Sequence, residues 1–172
     1  MAQGRSLYLV RHAVSADRGA AYPDDRKRPL TPQGMARFRA AVHGLVRAGV
    51  DIQRVLSSPL VRARQTADIL SAELPGNPPV TETDALEPGA AFERVFRVLD
   101  GCADCSSIAL VGHEPEIGEL AARLMHSTLP LEFKKGAVCR IDLDGWPPAE
   151  PGRLRWFLSP KIMRKLAERR VR

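Results

Sequence analysis

Two runs of four consecutive apolar residues, at positions 7–10 and 108–111, constrain the fold of this chain more than any other feature. Neither run alternates with polar residues, which is typical of strands that are buried on both faces of a parallel sheet. Such strands need helices on both sides, and segments of helical periodicity lie between the runs. The sequence therefore predicts an α/β protein, a three-layer α/β/α sandwich with a mostly parallel central sheet.

The other predicted elements continue this alternation. Thr31 and Pro32 suit the N-cap and the first turn of a helix that Gly49 ends. The polar stretch at 15–29 and the proline-rich stretch at 146–151 are expected to be irregular. The remaining strands are predicted at 54–57, near Val80, at 137–143 and at 154–158, and the remaining helices after residue 58, at 92–99, at 117–124 and at 161–170.

Length and composition narrow the class of protein. The 172 residues suit one domain spanning 1–172, and 26 Lys and Arg against 20 Asp and Glu give a net charge of +6. This excess of positive charge favours an anionic partner, and nucleic acid, a membrane surface and a phosphorylated substrate are the three alternatives. No apolar run is long enough for a bilayer span or a secretory signal, and three cysteines are too few for a disulfide scaffold, so we expect a cytoplasmic protein.

Two of the four histidines directly follow the two apolar runs, which points to a functional site. Arg11 and His12 follow the first run, and His113 follows the second after one glycine. Because ligands of open α/β sheets bind beyond the carboxyl ends of the strands, these side chains are expected to meet. Arg62 is expected at the same edge, in the first turn of a helix whose N-terminus favours an anion.

Two arginines and two histidines in one pocket would match a dianionic phosphoryl group. Neighbouring positive charge disfavours protonation of His12, so its imidazole is expected to be neutral and able to attack phosphorus. Arg11, Arg62 and His113 would stabilise charge on the phosphoryl oxygens. We expect no metal and no other cofactor, because these side chains supply the positive charge.

Three motifs with this strand context, in order along the chain, strengthen the interpretation. They are LVRHA at 9–13, SPLVRARQTA at 58–67 and VGHEP at 111–115, and residues 28–34 add a fourth segment. Together they resemble the histidine phosphatase superfamily, with the greatest likeness to the small SixA-type phosphohistidine phosphatases, over nearly the whole chain. The resemblance implies a phosphoglycerate mutase-like fold without a sizeable lid insertion.

The resemblance also implies roles for single residues. His12 matches the phosphorylated nucleophile, Arg11 and Arg62 match the phosphate-holding arginines, and His113 matches the second histidine of the pocket. Arg64 is not the matching arginine, because the family's arginine stands directly before the Ala of the Arg-Ala-x-Gln-Thr pattern. Ala13 departs from the wider superfamily, which usually has Gly there.

The substrate is expected to be phosphohistidine on another protein. Glu87 is the candidate for the proton donor that an alkoxide leaving group would need, whereas a phosphoramidate leaves more easily.

Only residues 81–107 separate the third and fourth strands, which leaves room for one helix and no lid. Neither nucleic acid nor a membrane is required, and a monomer is expected. The alternatives are a small-molecule phosphomonoesterase or mutase with the same pocket, and a non-catalytic phosphoprotein- or nucleic-acid-binding module.

The remaining chemically capable side chains are assigned structural roles. His43 lies among apolar positions on a helix, and His126 lies at a helix C-terminus. Cys102 and Cys105 form a C-x-x-C that is interpreted as a plain loop, because Cys139 provides no second pair for zinc. The basic C-terminal residues are interpreted as a solvated helix face: Lys161, Arg164, Lys165, Arg169, Arg170 and Arg172.

Overall fold

The computed structural model describes residues 4–168 and contains one six-stranded sheet with helices on both faces. The strands lie in the order β3-β2-β4-β1-β5-β6, with β3, β2, β4 and β1 parallel and with β5 and β6 antiparallel to their neighbours. The predicted α/β class and mostly parallel sheet are confirmed. The elements are β1 (Arg5–Arg11), α1 (Pro32–Arg47), β2 (Arg54–Ser57), α2 (Val61–Glu73), β3 (Val80–Glu82), α3 (Phe92–Asp100), β4 (Ser107–Gly112), α4 (Glu116–Leu124), β5 (Val138–Leu143), β6 (Arg153–Leu158) and α5 (Pro160–Glu168).

The first apolar run is uninterrupted because β1 contributes to two separate cores. Leu7 and Leu9 pack in one core with residues of α3 and α4. Tyr8 and Val10 point to the opposite face and pack with residues of α1, α2 and α5. Since successive side chains of a strand alternate between faces, a strand covered on both sides must be apolar at every position.

The connections of the sheet place a crevice at the carboxyl ends of β1 and β4. The chain leaves β1 towards β2 on one side, passing over β4, and leaves β4 towards β5 on the other, passing over β1. Val10 pairs with Val111 and Arg11 with Gly112, so the residues after both strands emerge side by side. Ligands bind at such switch points in open α/β sheets.

Local sequence signals account for several element ends. The Thr31 hydroxyl accepts a hydrogen bond from the Gly34 N–H at 2.9 Å, as expected of an N-cap, and Gly49 takes a positive φ of 74° just after α1. One predicted start is displaced along the chain: α2 begins only at Val61, whereas α4 begins at Glu116, within one residue of the predicted start. Positions 169–170 of the predicted last helix lie outside the described residues.

The parts predicted to be irregular carry little regular structure. Residues 15–29 contain a short 3-10 turn at Asp25–Lys27 and take part in two isolated β-bridges. Cys102 and Cys105 are buried side chains of the turn after α3, and all three cysteines are free thiols. Within residues 4–168, no helix combines the length and the apolar character that crossing a membrane requires.

Candidate active site

His12 and His113 lie next to each other at the carboxyl ends of β1 and β4. Their ring centroids are 5.2 Å apart, and both side chains are buried. Arg11 and Arg62 line the same cavity, which has a volume of about 520 Å³. The structure therefore brings together the four side chains that sequence reasoning placed in one pocket.

A backbone carbonyl determines which nitrogen of His12 can react. The His12 Nδ1 lies 2.7 Å from the carbonyl oxygen of Ala13. A carbonyl can only accept, so Nδ1 must carry the ring proton when the imidazole is neutral. The lone pair is then on Nε2, which makes Nε2 the nucleophilic atom.

Burial keeps both histidines neutral. It lowers the pKa of His12 from 6.5 to about 4, with smaller contributions in the same direction from Arg62 and Arg11. It also lowers the pKa of His113 to about 3, and the neighbouring His12 and Arg62 add to that shift. The sequence analysis attributed the neutrality of His12 to the nearby arginines, whereas in the structure the main cause of its lowered pKa is removal from water.

Ser58 orients His113, a role that the sequence analysis did not foresee. The Ser58 hydroxyl lies 2.8 Å from Nε2 of His113 and accepts a hydrogen bond from the Leu60 N–H at 3.3 Å. The hydroxyl proton is therefore available to Nε2, which places the imidazole proton on Nδ1. Within the described residues that buried Nδ1 has no hydrogen-bond partner, so it can donate to a ligand.

Arg11 and Arg62 each donate a hydrogen bond to a backbone carbonyl, yet each keeps a further N–H group without an acceptor among the described residues. Arg11 donates from Nη1 to the carbonyl of Phe133 at 2.6 Å, and Arg62 donates to the carbonyl of Asp25 at 2.8 Å. In the described part of the chain, the Nε atoms of Arg11 and Arg62 are buried without an acceptor. Unpaired buried donors are costly, and an oxyanion in the cavity would satisfy them.

Asp25 is a second feature of the site that sequence reasoning missed. Its carboxylate contacts Arg62 at 3.0 Å, Arg28 at 3.0 Å and Arg18 at 3.2 Å. Burial would raise the pKa of Asp25, but Arg62, Arg28 and Arg18 outweigh this effect and lower it. The stretch at 15–29 has no periodicity from which such contacts could be inferred, and only the family likeness of 28–34 hinted at Arg28.

The side chains of the second motif hold the site together. Gln65 Oε1 accepts from the Leu30 N–H at 2.8 Å, which anchors the chain before α1. The Thr66 hydroxyl accepts from the Ala13 N–H at 3.0 Å and donates to the Arg62 carbonyl at 2.7 Å. Arg64 instead points to the surface, where it pairs with Asp68 at 2.8 Å and Glu82 at 3.2 Å.

Glu87 and the two other histidines are placed differently from the four site residues, and Glu87 shares a neighbouring cavity with His113. The Glu87 carboxylate accepts two hydrogen bonds from Arg26, at 2.7 and 3.0 Å, and this pairing lowers its pKa. His43 is exposed on α1 and contacts Glu73 at 2.8 Å, and His126 is exposed after α4. None of these side chains lines the cavity of His12.

Comparison with known proteins adds independent findings. The sequence model of the histidine phosphatase superfamily (branch 1) matches residues 7–90. An uncharacterized protein of Picosynechococcus sp. is 40% identical over 118 residues, which cover 67% of this chain and 70% of the relative. The phosphohistidine phosphatase SixA of Escherichia coli (strain K12) is 29% identical over 158 residues, which cover 90% of this chain and 93% of the relative.

A solved structure agrees with the sequence matches. The protein histidine phosphatase SixA complexed with tungstate superimposes with a TM-score of 0.81 at 28% identity, covering 92% of this chain and 99% of its own. The chain therefore belongs to the histidine phosphatase superfamily. Within it the chain is of the SixA type, has the phosphoglycerate mutase-like fold and is a phosphatase.

Proposed function

We propose that the protein hydrolyses phosphorylated substrates through a phosphohistidine formed on His12, without a metal. The observation that carries this proposal is the fixed tautomer of His12. Its Nδ1–H is committed to the Ala13 carbonyl, so the Nε2 lone pair is free in a cavity lined by Arg11 and Arg62. Mere phosphate binding would not require a neutral nucleophile at this position.

The reaction proceeds in two transfers. Nε2 of His12 forms a bond to phosphorus as the bond between phosphorus and the leaving group breaks. Water then attacks the phosphohistidine, which releases inorganic phosphate and restores the neutral imidazole. Arg11, Arg62 and the Nδ1–H of His113 stabilise the phosphoryl oxygens in both transition states.

We further propose phosphohistidine on a protein as the preferred substrate. Glu87, the candidate proton donor, is paired with Arg26 and does not line the cavity of His12. An alkoxide leaving group needs a proton from such a donor, whereas the imidazole of a phosphohistidine that is protonated on its other ring nitrogen leaves as the neutral base and needs no proton from the enzyme. Between β3 and β4 the chain has only a 3-10 turn and α3, so no long insertion covers the cavity. SixA of E. coli, a phosphohistidine phosphatase by name, supports the same substrate.

A small-molecule phosphate ester is the second candidate. The cavity of about 520 Å³ lies within the usual size of small-ligand sites, and Arg18 and Lys135 add cations to its wall. The three buried free thiols support a reducing compartment, and we propose the cytoplasm.

A substrate comparison tests the proposal. Initial rates are measured for a phosphohistidine peptide, for sugar phosphates and for p-nitrophenyl phosphate, each with the wild type and with His12→Asn. The proposal predicts that kcat/KM for the phosphohistidine peptide is at least about a hundredfold higher than for the sugar phosphates. His12→Asn should turn over none of the substrates faster than the background rate. Equal or faster turnover of the sugar phosphates would favour the small-molecule alternative.

A further inference from the structure

A second cavity lies beside the active site and is strongly basic. It has a volume of about 190 Å³ and lies between the start of α1, the turn at 134–136 and the start of α5. Among the residues that the structure describes, no aspartate or glutamate lines it. Its five cationic lining residues, called here the basic subsite, are Arg37, Lys134, Lys135, Lys161 and Arg164.

The charges of the basic subsite are not balanced within the protein. In residues 4–168, none of its five side chains takes part in an ion pair. The arginines Arg18, Arg28 and Arg62 of the active site, in contrast, all contact Asp25. Like charges held together without counterions repel one another, and an anionic ligand would remove that cost.

The basic subsite is continuous with the active site. Lys135 lines both cavities, and Ala13 of the basic cavity directly follows His12. The Gly136 N–H lies 3.1 Å from the Arg11 carbonyl and 3.0 Å from the His12 carbonyl, so the turn at 134–136 is fixed to the end of β1. One polypeptide segment could therefore present a phosphorylated side chain to His12 and neighbouring residues to the basic subsite.

The lining of the basic cavity favours a protein segment over nucleic acid. Its wall includes Ala13, Pro160 and Val14, and Val14 is 39% exposed. Its one aromatic residue, Phe38, is only 2% exposed and offers no face on which a base could stack. Proteins that bind single-stranded nucleic acid without sequence preference rely on stacking of the bases against aromatic side chains. Small apolar contacts among cations suit aliphatic and carboxylate side chains.

We propose that the basic subsite binds acidic residues next to the phosphorylated histidine of a protein substrate, and thereby selects acidic phosphoproteins. The proposal rests on the proposed function of the active site, and it gives a role to five cationic side chains that line one cavity without acidic partners in residues 4–168. It also assigns a role to Lys161 and Arg164 of α5, whose basic side chains were interpreted as a solvated helix face.

Two peptides test the proposal. Both carry a central phosphohistidine, flanked in one by glutamates and in the other by glutamines, and kcat/KM is measured at low salt. We expect kcat/KM about tenfold higher for the glutamate peptide, since two or three exposed ion pairs contribute a factor of this order. The ratio should fall to about one in Arg37→Glu/Arg164→Glu and in high salt. The matched control is Arg97→Glu/Arg153→Glu, exposed arginines that line neither cavity, and it should keep the wild-type ratio.

A binding measurement separates this proposal from the proposed function. Fluorescence anisotropy of the labelled, unphosphorylated peptides with His12→Asn measures the basic subsite even if neither phosphopeptide is hydrolysed. The proposal is supported if the glutamate peptide binds more tightly than the glutamine peptide, and if Arg37→Glu/Arg164→Glu removes this difference while the control variant keeps it. Equal binding of both peptides, the same loss in the control variant, or a single-stranded oligonucleotide that binds more tightly than the glutamate peptide would overturn it.

Discussion

At the residue scale, the reactivity of the site depends on which side-chain nitrogens already form hydrogen bonds within the protein. The Ala13 carbonyl binds the Nδ1–H of His12, and the Ser58 hydroxyl occupies Nε2 of His113. These contacts leave one lone pair for attack and one N–H for the phosphoryl oxygens. The Nε atoms of Arg11 and Arg62, buried without acceptors among the described residues, add two more donors. A phosphoryl group supplies what all of these atoms lack.

Replacing Arg62 by lysine tests the contribution of its guanidinium. Lysine keeps the charge but cannot make paired hydrogen bonds to a phosphoryl group, so kcat/KM should fall about a hundredfold or more. Arg64→Lys is the matched control, because Arg64 lies two residues away on the same helix and pairs with the surface carboxylates of Asp68 and Glu82. Steady-state kinetics with the phosphohistidine peptide measure both. Similar losses in the two variants would show that Arg62 acts only through the stability of α2.

At the scale of elements, the ends of β1 and β4 position the histidines, and the helices fix those ends. The side chains of the site were predictable where they follow an uninterrupted apolar run, as His12 and His113 do. Asp25 and Ser58 were not, because their contacts join segments 37 and 55 residues apart in sequence. The start of α2 was predicted too early, since Ser58 binds His113 and the Leu60 N–H instead of beginning the helix.

The contact between α1 and α5 should tolerate no side chain at Gly44. A Cβ atom there would lie 1.9 Å from the carbonyl oxygen of Met163, so the two helices would have to separate. We expect Gly44→Ala to lower the free energy of unfolding by about 1–3 kcal/mol despite the better helix propensity of alanine. Gly101→Ala is the control, since its Cβ would meet nothing closer than 3.4 Å. Urea denaturation measures both, and an unchanged midpoint for Gly44→Ala would contradict this packing.

At the scale of the whole molecule, the balance of charge divides into two functions. Asp25 partly neutralises the arginines of the active site, which would bind a phosphoryl group. The basic subsite has no acidic partner in the described part of the chain. The net charge of +6 predicted an anionic ligand but could not locate it, because location depends on how α1, α5 and the turn at 134–136 meet. The pKa of His12 was likewise beyond the sequence, since burial dominates it.

The two buried histidines should make the stability of the molecule depend on pH. They are neutral in the folded state, with pKa values of about 4 for His12 and about 3 for His113, while unfolded histidine binds a proton near pH 6.5. Protons therefore favour the unfolded state as the pH falls from 6.5 towards 4. Each histidine should reduce the free energy of unfolding by about 2 kcal/mol between pH 7 and pH 5.

Single variants isolate this contribution from that of the carboxylates. His12→Gln should lose about half of the decrease measured by urea denaturation at pH 7 and pH 5 in phosphate-free buffer. His126→Gln, at an exposed position outside the cavity, should retain all of it. A wild-type stability that does not change between these pH values would show that the histidines are not buried in the neutral form.

Trapping the phosphorylated protein tests the central claim most directly. The wild type, His12→Asn and His113→Asn are mixed with a phosphohistidine peptide, quenched in base within milliseconds to seconds and analysed by mass spectrometry for phosphate that is stable to base and labile to acid. We predict that the wild type and His113→Asn carry the phosphoryl group on His12 and that His12→Asn, folded by circular dichroism, carries none. A phosphoryl group on His12→Asn, or undiminished hydrolysis by that variant, would contradict the account.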